Sequence, residues 1–353
     1  MRPVHILATG GTIAMAPTPH GFAPRPGYLE ELLAQDPRFQ HPELPPFTLH
    51  EYTPLMDSAT MRPEHWQTLA RDIAAAHEDG AGVVVLHGTD TMAYTASALA
   101  FLLENLHHPV VLTGSQLPMG ELRSDAPDNL LAALLLAAQP HLPEVVLVFG
   151  HRILRGCRAT KVDASGFMAF DSPNYPDLGA LGVRLTLFAD RLRPKPQAPL
   201  CVHTLDPRVQ VGVVRLFPGI SAAFLANVLR SPLQGLILET YGMGNGPSDD
   251  TALLGTLERA SRRGVVVVNC TQCLRGGVDQ EGYATGSALA RAGVVSGGDM
   301  TVEAALTKLL FLLSTEPNAD AVRARMEEDL RGERTPAHPS PTHGTVAPAH
   351  LQA

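Results

Sequence analysis

The sequence predicts an α/β protein of two domains: a larger N-terminal doubly wound, mostly parallel sheet and a smaller C-terminal parallel-sheet domain. Three observations carry this. Short apolar runs of strand length alternate with longer helix-period runs, the pattern of βαβ units with right-handed crossovers. The run Val83-Val84-Val85-Leu86 is apolar at every position, as in a strand covered on both faces. The chain's 353 residues can hold two cores, and a stiff stretch with Pro194, Pro196 and Pro199 separates two alternating patterns. The expected division is a catalytic domain over 1–190, a linker over 191–210, a second domain over 211–335 and a tail over 336–353. The tail is almost uncharged and rich in Pro, His, Ala and Thr, so disorder is expected there.

Residues 4–8 form the first strand, closed by the turn Thr9-Gly10-Gly11-Thr12. Residues 16–27 carry Pro17, Pro19, Gly21, Pro24, Pro26 and Gly27 and are expected to form a long mobile loop of the kind that serves as a lid. A short helix over 28–33 and a strand over 47–52 precede the polar turn Met56-Asp57-Ser58-Ala59-Thr60. Pro63 suits the first turn of an amphipathic helix reaching residue 77, where its missing N–H has no helical partner to lose. The central strand stops at His87-Gly88. Polar Thr89-Asp90-Thr91 follow, and a helix runs from 92 to 103. A strand over 109–113 ends in Gly114-Ser115-Gln116, and a helix over 128–138 and a strand over 145–149 complete the first pattern. Residues 151–190 read as irregular. Beyond the linker, strands over 211–215, 235–238 and 265–269 accompany helices over 221–229, 251–262, 301–313 and 319–330, with no internal repeat.

A net charge of −8 argues against a nucleic-acid or anionic-membrane partner. No apolar run reaches membrane-spanning length, and the first residues enter a strand without a signal-peptide layout. A cytoplasmic enzyme or binding protein is the expected class. The spacing Cys270-Thr271-Gln272-Cys273 is CxxC, yet no second pair completes a zinc site and no thioredoxin-like context surrounds it. Reduced thiols are expected.

Polar turns gather after the strands of the first domain: residues 9–12, Asp57-Ser58, Thr89-Asp90 and Ser115, with Arg158-Ala159-Thr160-Lys161 after the last strand. Open α/β sheets bind ligands outside these strand ends, where side chains and free helix N–H groups converge. Neither glycine-rich nucleotide motif is present, and the turns offer hydroxyls rather than metal ligands, so no cofactor and no metal are expected. Two threonines, an aspartate and a lysine suit nucleophilic hydrolysis. A threonine hydroxyl needs a base beside it, and a lysine is a base only when desolvation lowers its pKa from roughly 10.4. Asp90 can bind a substrate ammonium and Ser58 a carboxylate. Backbone N–H groups of the turns can form an oxyanion hole, worth roughly 3–4 kcal/mol per donor. On spacing alone, turn capping by Thr12, Thr89, Asp90 or Thr91 and a solvated Lys161 account for the same residues.

Thr9-Gly10-Gly11-Thr12-Ile13-Ala14 and His87-Gly88-Thr89-Asp90-Thr91-Met92 resemble the two signature motifs of bacterial-type L-asparaginases. Glu51-Tyr52-Thr53-Pro54-Leu55-Met56-Asp57-Ser58, Glu121-Leu122-Arg123-Ser124-Asp125 and Tyr283-Ala284-Thr285-Gly286 resemble the cytoplasmic type I branch. So do Gly297-Gly298-Asp299-Met300-Thr301-Val302-Glu303-Ala304 and Leu330-Arg331-Gly332-Glu333, and the similarity runs from residue 4 to residue 336. The absence of an extension before the first motif disfavours the related amidotransferase subunit that acts on charged tRNA.

The resemblance implies hydrolysis of L-asparagine to L-aspartate and ammonia through an acyl-enzyme, and a weaker action on glutamine is expected because one extra methylene seldom discriminates by more than roughly 200-fold. It implies that Thr12 attacks the amide carbon and that Thr89 and Lys161 form a second hydroxyl–base pair beside Asp90. Asp57 and Ser58 would bind the α-amino and α-carboxylate ends, and Gly11 and Thr89 would offer N–H groups to the oxyanion. Ser115 joins the substrate-binding set. The family forms homodimers, often paired into homotetramers, in which the partner's C-terminal domain completes each site. Asn245 is the candidate for that contribution.

Two departures stand out. Where the family carries a tyrosine hydrogen-bonded to its nucleophile, this chain has Phe22, so Tyr28 or water is expected to supply the missing bond. A non-catalytic asparagine-binding or sensing protein is the alternative that Phe22 raises. Where some type I enzymes use an arginine to bind an activating asparagine near Thr271-Gln272-Cys273, this chain has Glu239, so that activation is expected to be absent or altered.

Overall fold

The computed structural model describes residues 1–19, 21–280 and 284–336. The tail expected beyond residue 336 and Tyr283 of the quoted motif lie outside the described residues.

The larger sheet has eight strands, whose parallel heart is β4 (Phe47–Glu51), β1 (Val4–Ala8), β5 (Gly82–Leu86), β7 (Val110–Thr113) and β8 (Val145–Phe149) in that spatial order. Along these strands successive residues enter different cores. Leu7, Val83, Val85, Val110 and Leu112 pack on α2 (Pro63–Glu78) and α3 (Met92–Leu102). Val4, Ile6, Val84, Leu86, Val111 and Val146 pack on α1 (Tyr28–Gln35) and α4 (Ala126–Ala137). Both faces are therefore dry, which is why the strands are continuously apolar.

Three further strands extend this sheet, and they correct the expectation that 151–190 is irregular. β9 (Arg152–Arg155) runs antiparallel to β8, followed outward by β12 (Gly179–Leu181) and β13 (Leu185–Leu187). Charged residues hid β9. Arg155 is buried against Glu144 at 2.7 Å, and Arg152 pairs with Asp171 at 2.7 Å and Asp177 at 2.6 Å. A second correction concerns 16–27, which contains a hairpin rather than only loop: β2 (Met15–Thr18) pairs with β3 (Gly21–Pro24), placing Pro17 opposite Phe22. A two-stranded ribbon is all edge, so proline is tolerated within it. Two small ribbons, β10 (Thr160–Lys161) with β11 (Phe170–Asp171) and β6 (Leu103–Glu104) with β14 (Cys201–Val202), complete this half.

The C-terminal sheet is fully parallel in the order β15 (Val211–Arg215), β16 (Gly235–Thr240), β17 (Val266–Thr271) and β18 (Val294–Ser296). One face carries α5 (Ala222–Val228) and α6 (Thr251–Arg262), and the other carries α8 (Val302–Thr315) and α9 (Ala319–Met326). β18 and the neighbouring α7 (Ala284–Arg291) went unread in the glycine-rich sequence around them. Each half has a buried cluster of its own, and a further buried cluster joins α3 to α8 and α9. Phe101 stacks on Phe311 with centroids 5.9 Å apart. Every residue of α3 except Tyr94 is buried, so this helix is a shared wedge.

Candidate active site

Three turns at the carboxyl ends of β1, β4 and β5 meet through residues too small to hold them apart. Gly11 has φ of 84°, and a Cβ there would stand 2.6 Å from the Gly88 backbone. A Cβ on Gly88 would in turn stand 2.3 Å from Ser58 Oγ. Glycine at both positions is thus a packing requirement, and at Gly11 a backbone one too. Ser58 is buried, and its carbonyl accepts from Thr91 Oγ1 at 2.7 Å. Thr12 follows as the half-buried first residue of a 3-10 turn. Asp57 is exposed and caps the next 3-10 turn by accepting from Ala59 N at 3.0 Å.

The turn after β5 is fixed from behind by a buried hydrogen-bond chain. Trp66 Nε1 donates to Thr95 Oγ1 at 3.0 Å, and that hydroxyl lies 2.9 Å from His87 Nε2. The threonine, having accepted from the indole, has its own proton for Nε2. Nδ1 therefore carries the ring hydrogen and donates to Gly88 O at 2.7 Å. Complete burial lowers the His87 pKa to about 4, so the ring is neutral at pH 7. The Gly88 carbonyl and the Thr89 N–H belong to one peptide plane, so this bond also aims the Thr89 N–H.

Lys161 reaches the same place from β10. Its Nζ donates to Thr89 Oγ1 at 2.9 Å and to Asp90 Oδ1 at 3.0 Å. Lys161 is largely covered, whereas the Asp90 side chain is 64% exposed and opens the cluster to solvent. Thr89 donates onward to Gln116 Oε1 at 3.3 Å, and Gln116 donates to Gly166 O at 3.0 Å. The lysine is held by the residues before it. Thr160 Oγ1 donates to Glu303 Oε1 at 2.7 Å, and burial raises the Glu303 carboxyl pKa. Arg158 is buried, donating to Gly332 O at 2.7 Å and pairing with Asp299 at 2.9 Å.

The structure thus brings Gly11, Ser58, Thr89, Asp90 and Lys161 into one cluster at the strand ends, with Thr12 next to Gly11. Ser115 is buried one turn away, where its hydroxyl donates to Leu117 O. Asn245 lies in the C-terminal sheet's turn after β16, where its N–H donates to Tyr241 O at 2.8 Å. Sequence reasoning missed Gln116, and it missed Asp125, whose carboxylate accepts from the Gln116 and Leu117 N–H groups at 3.0–3.1 Å. No spacing signal marks Gln116. Asp125 stood in a quoted motif without a role. Tyr28, expected as a substitute donor to Thr12, has its hydroxyl against Gly120 instead, and no described bond joins it to Thr12.

Two family models match the chain. One, described as "Asparaginase, N-terminal", covers residues 3–193, and the other, "Glutaminase/Asparaginase C-terminal domain", covers residues 210–326. The chain belongs to the asparaginase/glutaminase family. It is 52% identical to L-asparaginase 1 of Escherichia coli strain K12, over 95% of this chain and 98% of that protein. Among solved structures it resembles L-asparaginase I from Vibrio cholerae, with TM-score 0.87 and 48% identity over 95% of this chain and 99% of that one. The thermostable L-asparaginase from Thermococcus kodakarensis gives TM-score 0.86 and 37% identity, covering 95% and 100% of the two chains.

Proposed function

We propose that this chain hydrolyses L-asparagine to L-aspartate and ammonia through an acyl-enzyme on Thr12. The observation that carries the reading is the Lys161–Thr89–Asp90 cluster, assembled from two distant segments beside the Gly11–Thr12 turn. The full-length relatives named for this activity supply the substrate. Thr12 Oγ attacks the side-chain amide carbon, the C–N bond breaks, and the hydroxyl proton leaves with ammonia. Water then attacks the ester and the Thr12 Oγ–acyl bond breaks, with Thr89 and Lys161 as the hydroxyl–base pair that handles the proton. The N–H groups of Gly11 and Thr89 meet the oxyanion of each step. Asp90 and Asp57 take the α-ammonium, Ser58 takes the α-carboxylate, and Ser115 belongs to the adjoining substrate-binding turn. Glutamine is a weaker substrate, since one methylene discriminates by no more than roughly 200-fold.

The active assembly is a homodimer or homotetramer in which Asn245 of one copy completes the site of another. Support comes from the openness of Asp90 and from exposed Phe217, Phe224 and Met243 in the C-terminal half. We place the protein in the cytoplasm. The four cysteines are free thiols, as a reducing compartment keeps them. Among the described residues no helix is long and apolar enough to cross a membrane. The test is ammonia release from L-asparagine by the purified chain beside Thr12→Ala. Turnover that disappears in the variant is the expected result. An inactive wild type that asparagine nevertheless stabilises against heat would overturn hydrolysis in favour of a binding protein.

A further inference from the structure

The ribbon of β6 and β14 carries three side chains that the hydrolysis does not use. Cys201 lies directly opposite Glu104, so both project from the same face of the ribbon. His203 is two residues beyond Cys201 and continues the ladder through its N–H to Leu102 O at 2.9 Å, which brings its ring to that face as well. One thiol sulfur, one imidazole nitrogen and one carboxylate oxygen lie within 4.8 Å of one another. Ligands bound tetrahedrally at about 2.0–2.3 Å from a zinc ion stand roughly 3.3–3.7 Å apart. Small side-chain rotations close that difference.

The group is also braced from outside. Glu104 Oε2 lies 2.7 Å from His203 Nε2, and its other oxygen faces Arg331 at 3.6 Å. The His203 ring stands edge-on to Phe311 with centroids 5.2 Å apart. Such outer contacts orient metal ligands, and a thiolate with an imidazole selects a borderline-soft ion over calcium or magnesium.

We propose that Cys201, His203 and Glu104 form a binding site for a divalent ion of the zinc class, with the fourth position open to water. Binding releases the Cys201 thiol proton to solvent, shifts the His203 ring hydrogen from Nε2 to Nδ1 by exchange with solvent, and replaces the direct His203–Glu104 contact with two bonds to the ion. The site lies just past the C-terminal end of α3, whose 11 residues span roughly 16 Å from the Thr89–Asp90 end. The ion therefore takes no part in amide hydrolysis. It fastens the inter-sheet connection to the end of the shared helix. Sequence spacing does not reveal this site, because Glu104 and Cys201 meet only in the ribbon.

The experiment titrates Co²⁺ into the metal-stripped full-length chain and reads the thiolate-to-cobalt charge-transfer absorption. One equivalent producing that band, with Zn²⁺ abolishing it, is expected. Cys201→Ser should lose the band, His203→Ala should weaken binding at least about tenfold, and Cys273→Ser, at the other exposed thiol, should change nothing. Circular dichroism confirms that each variant is folded. A wild type without the band, or a band that survives Cys201→Ser, overturns the proposal.

Discussion

Lys161 Nζ stands 2.9 Å from Thr89 Oγ1, across 71 intervening residues of chain. The pair is held on both sides, since Asp90 also accepts from the Lys161 amine and Gln116 accepts from the hydroxyl. Lys161→Met and Thr89→Val are each expected to lower kcat by roughly 10²–10⁴-fold, the usual weight of general acid–base catalysis. Because the two act as one unit, the double variant should be little worse than the poorer single one. Steady-state ammonia release on all three variants checks this. Multiplying losses would mean that the residues act independently.

Phe22 is 47% exposed on the hairpin strand β3, and the Tyr28 hydroxyl rests against Gly120. Phe22→Tyr should therefore raise kcat by roughly fivefold, the worth of a hydrogen bond of about 1 kcal/mol. Tyr28→Phe should leave kcat within about twofold of wild type. A large loss in Tyr28→Phe would restore that residue as the substitute.

The contact between Gly11 and Gly88 leaves no space for a methyl group. Gly11→Ala should reduce kcat/KM by at least about 100-fold, since a shift of about 1 Å in a positioned group costs that much. Its melting temperature should fall as well. Gly182→Ala, where an added Cβ meets nothing within 4 Å, is the control expected to match wild type in both measurements.

Glu239 borders a cavity of about 370 Å³ together with Tyr94, Thr271, Cys273 and Glu303. The two carboxylates push the Tyr94 hydroxyl in the direction that burial already drives it, up to about 12. Arg215 lines the same cavity and stands 3.8 Å from Glu239, so a ligand carboxylate must compete with Glu239 for that guanidinium, and rate against asparagine concentration should be hyperbolic. A sigmoidal curve abolished by Thr271→Ala would refute this.

His87 supplies the pH prediction. Its folded pKa of about 4 lies below the unfolded value of about 6.5, so only the unfolded chain takes up a proton between them. Above pH 6.5 the residue has no effect on stability. As pH falls toward 4, stability declines by up to about 1.4 kcal/mol per unit from this group. Urea unfolding at pH 7.5 and pH 4.5 measures the decline, and His87→Asn should make it shallower. His77, likewise lowered to about 4 by burial, keeps part of the slope in that variant.

The parallel heart of the larger sheet was legible because burial on both faces writes itself as uninterrupted Val and Leu. The strand ends were legible for the opposite reason, since polar Thr89-Asp90 directly after Leu86-His87-Gly88 has no other place to go. β9 was not, because its arginines are neutralised by Glu144, Asp171 and Asp177, and those partners are a tertiary fact. The same limit hid the supports of Lys161. Arg158, Asp299, Glu303 and Gly332 all stood in quoted stretches, but nothing local says that a C-terminal segment returns to brace an N-terminal strand.

That returning segment, with the helix it serves, decides how the chain can be divided. α3 presents the Thr89–Asp90 turn at one end and is walled on one side by its own sheet and on the other by α8. Cutting the connection between the sheets would strip Phe101 of Phe311 and Ala100 of the Arg331 guanidinium, which donates to its carbonyl at 3.1 Å. The half that carries the threonines therefore cannot be lifted out as a module. Whatever recombination or truncation acts on such a gene must keep both halves together, although only one of them holds the Lys161–Thr89 pair.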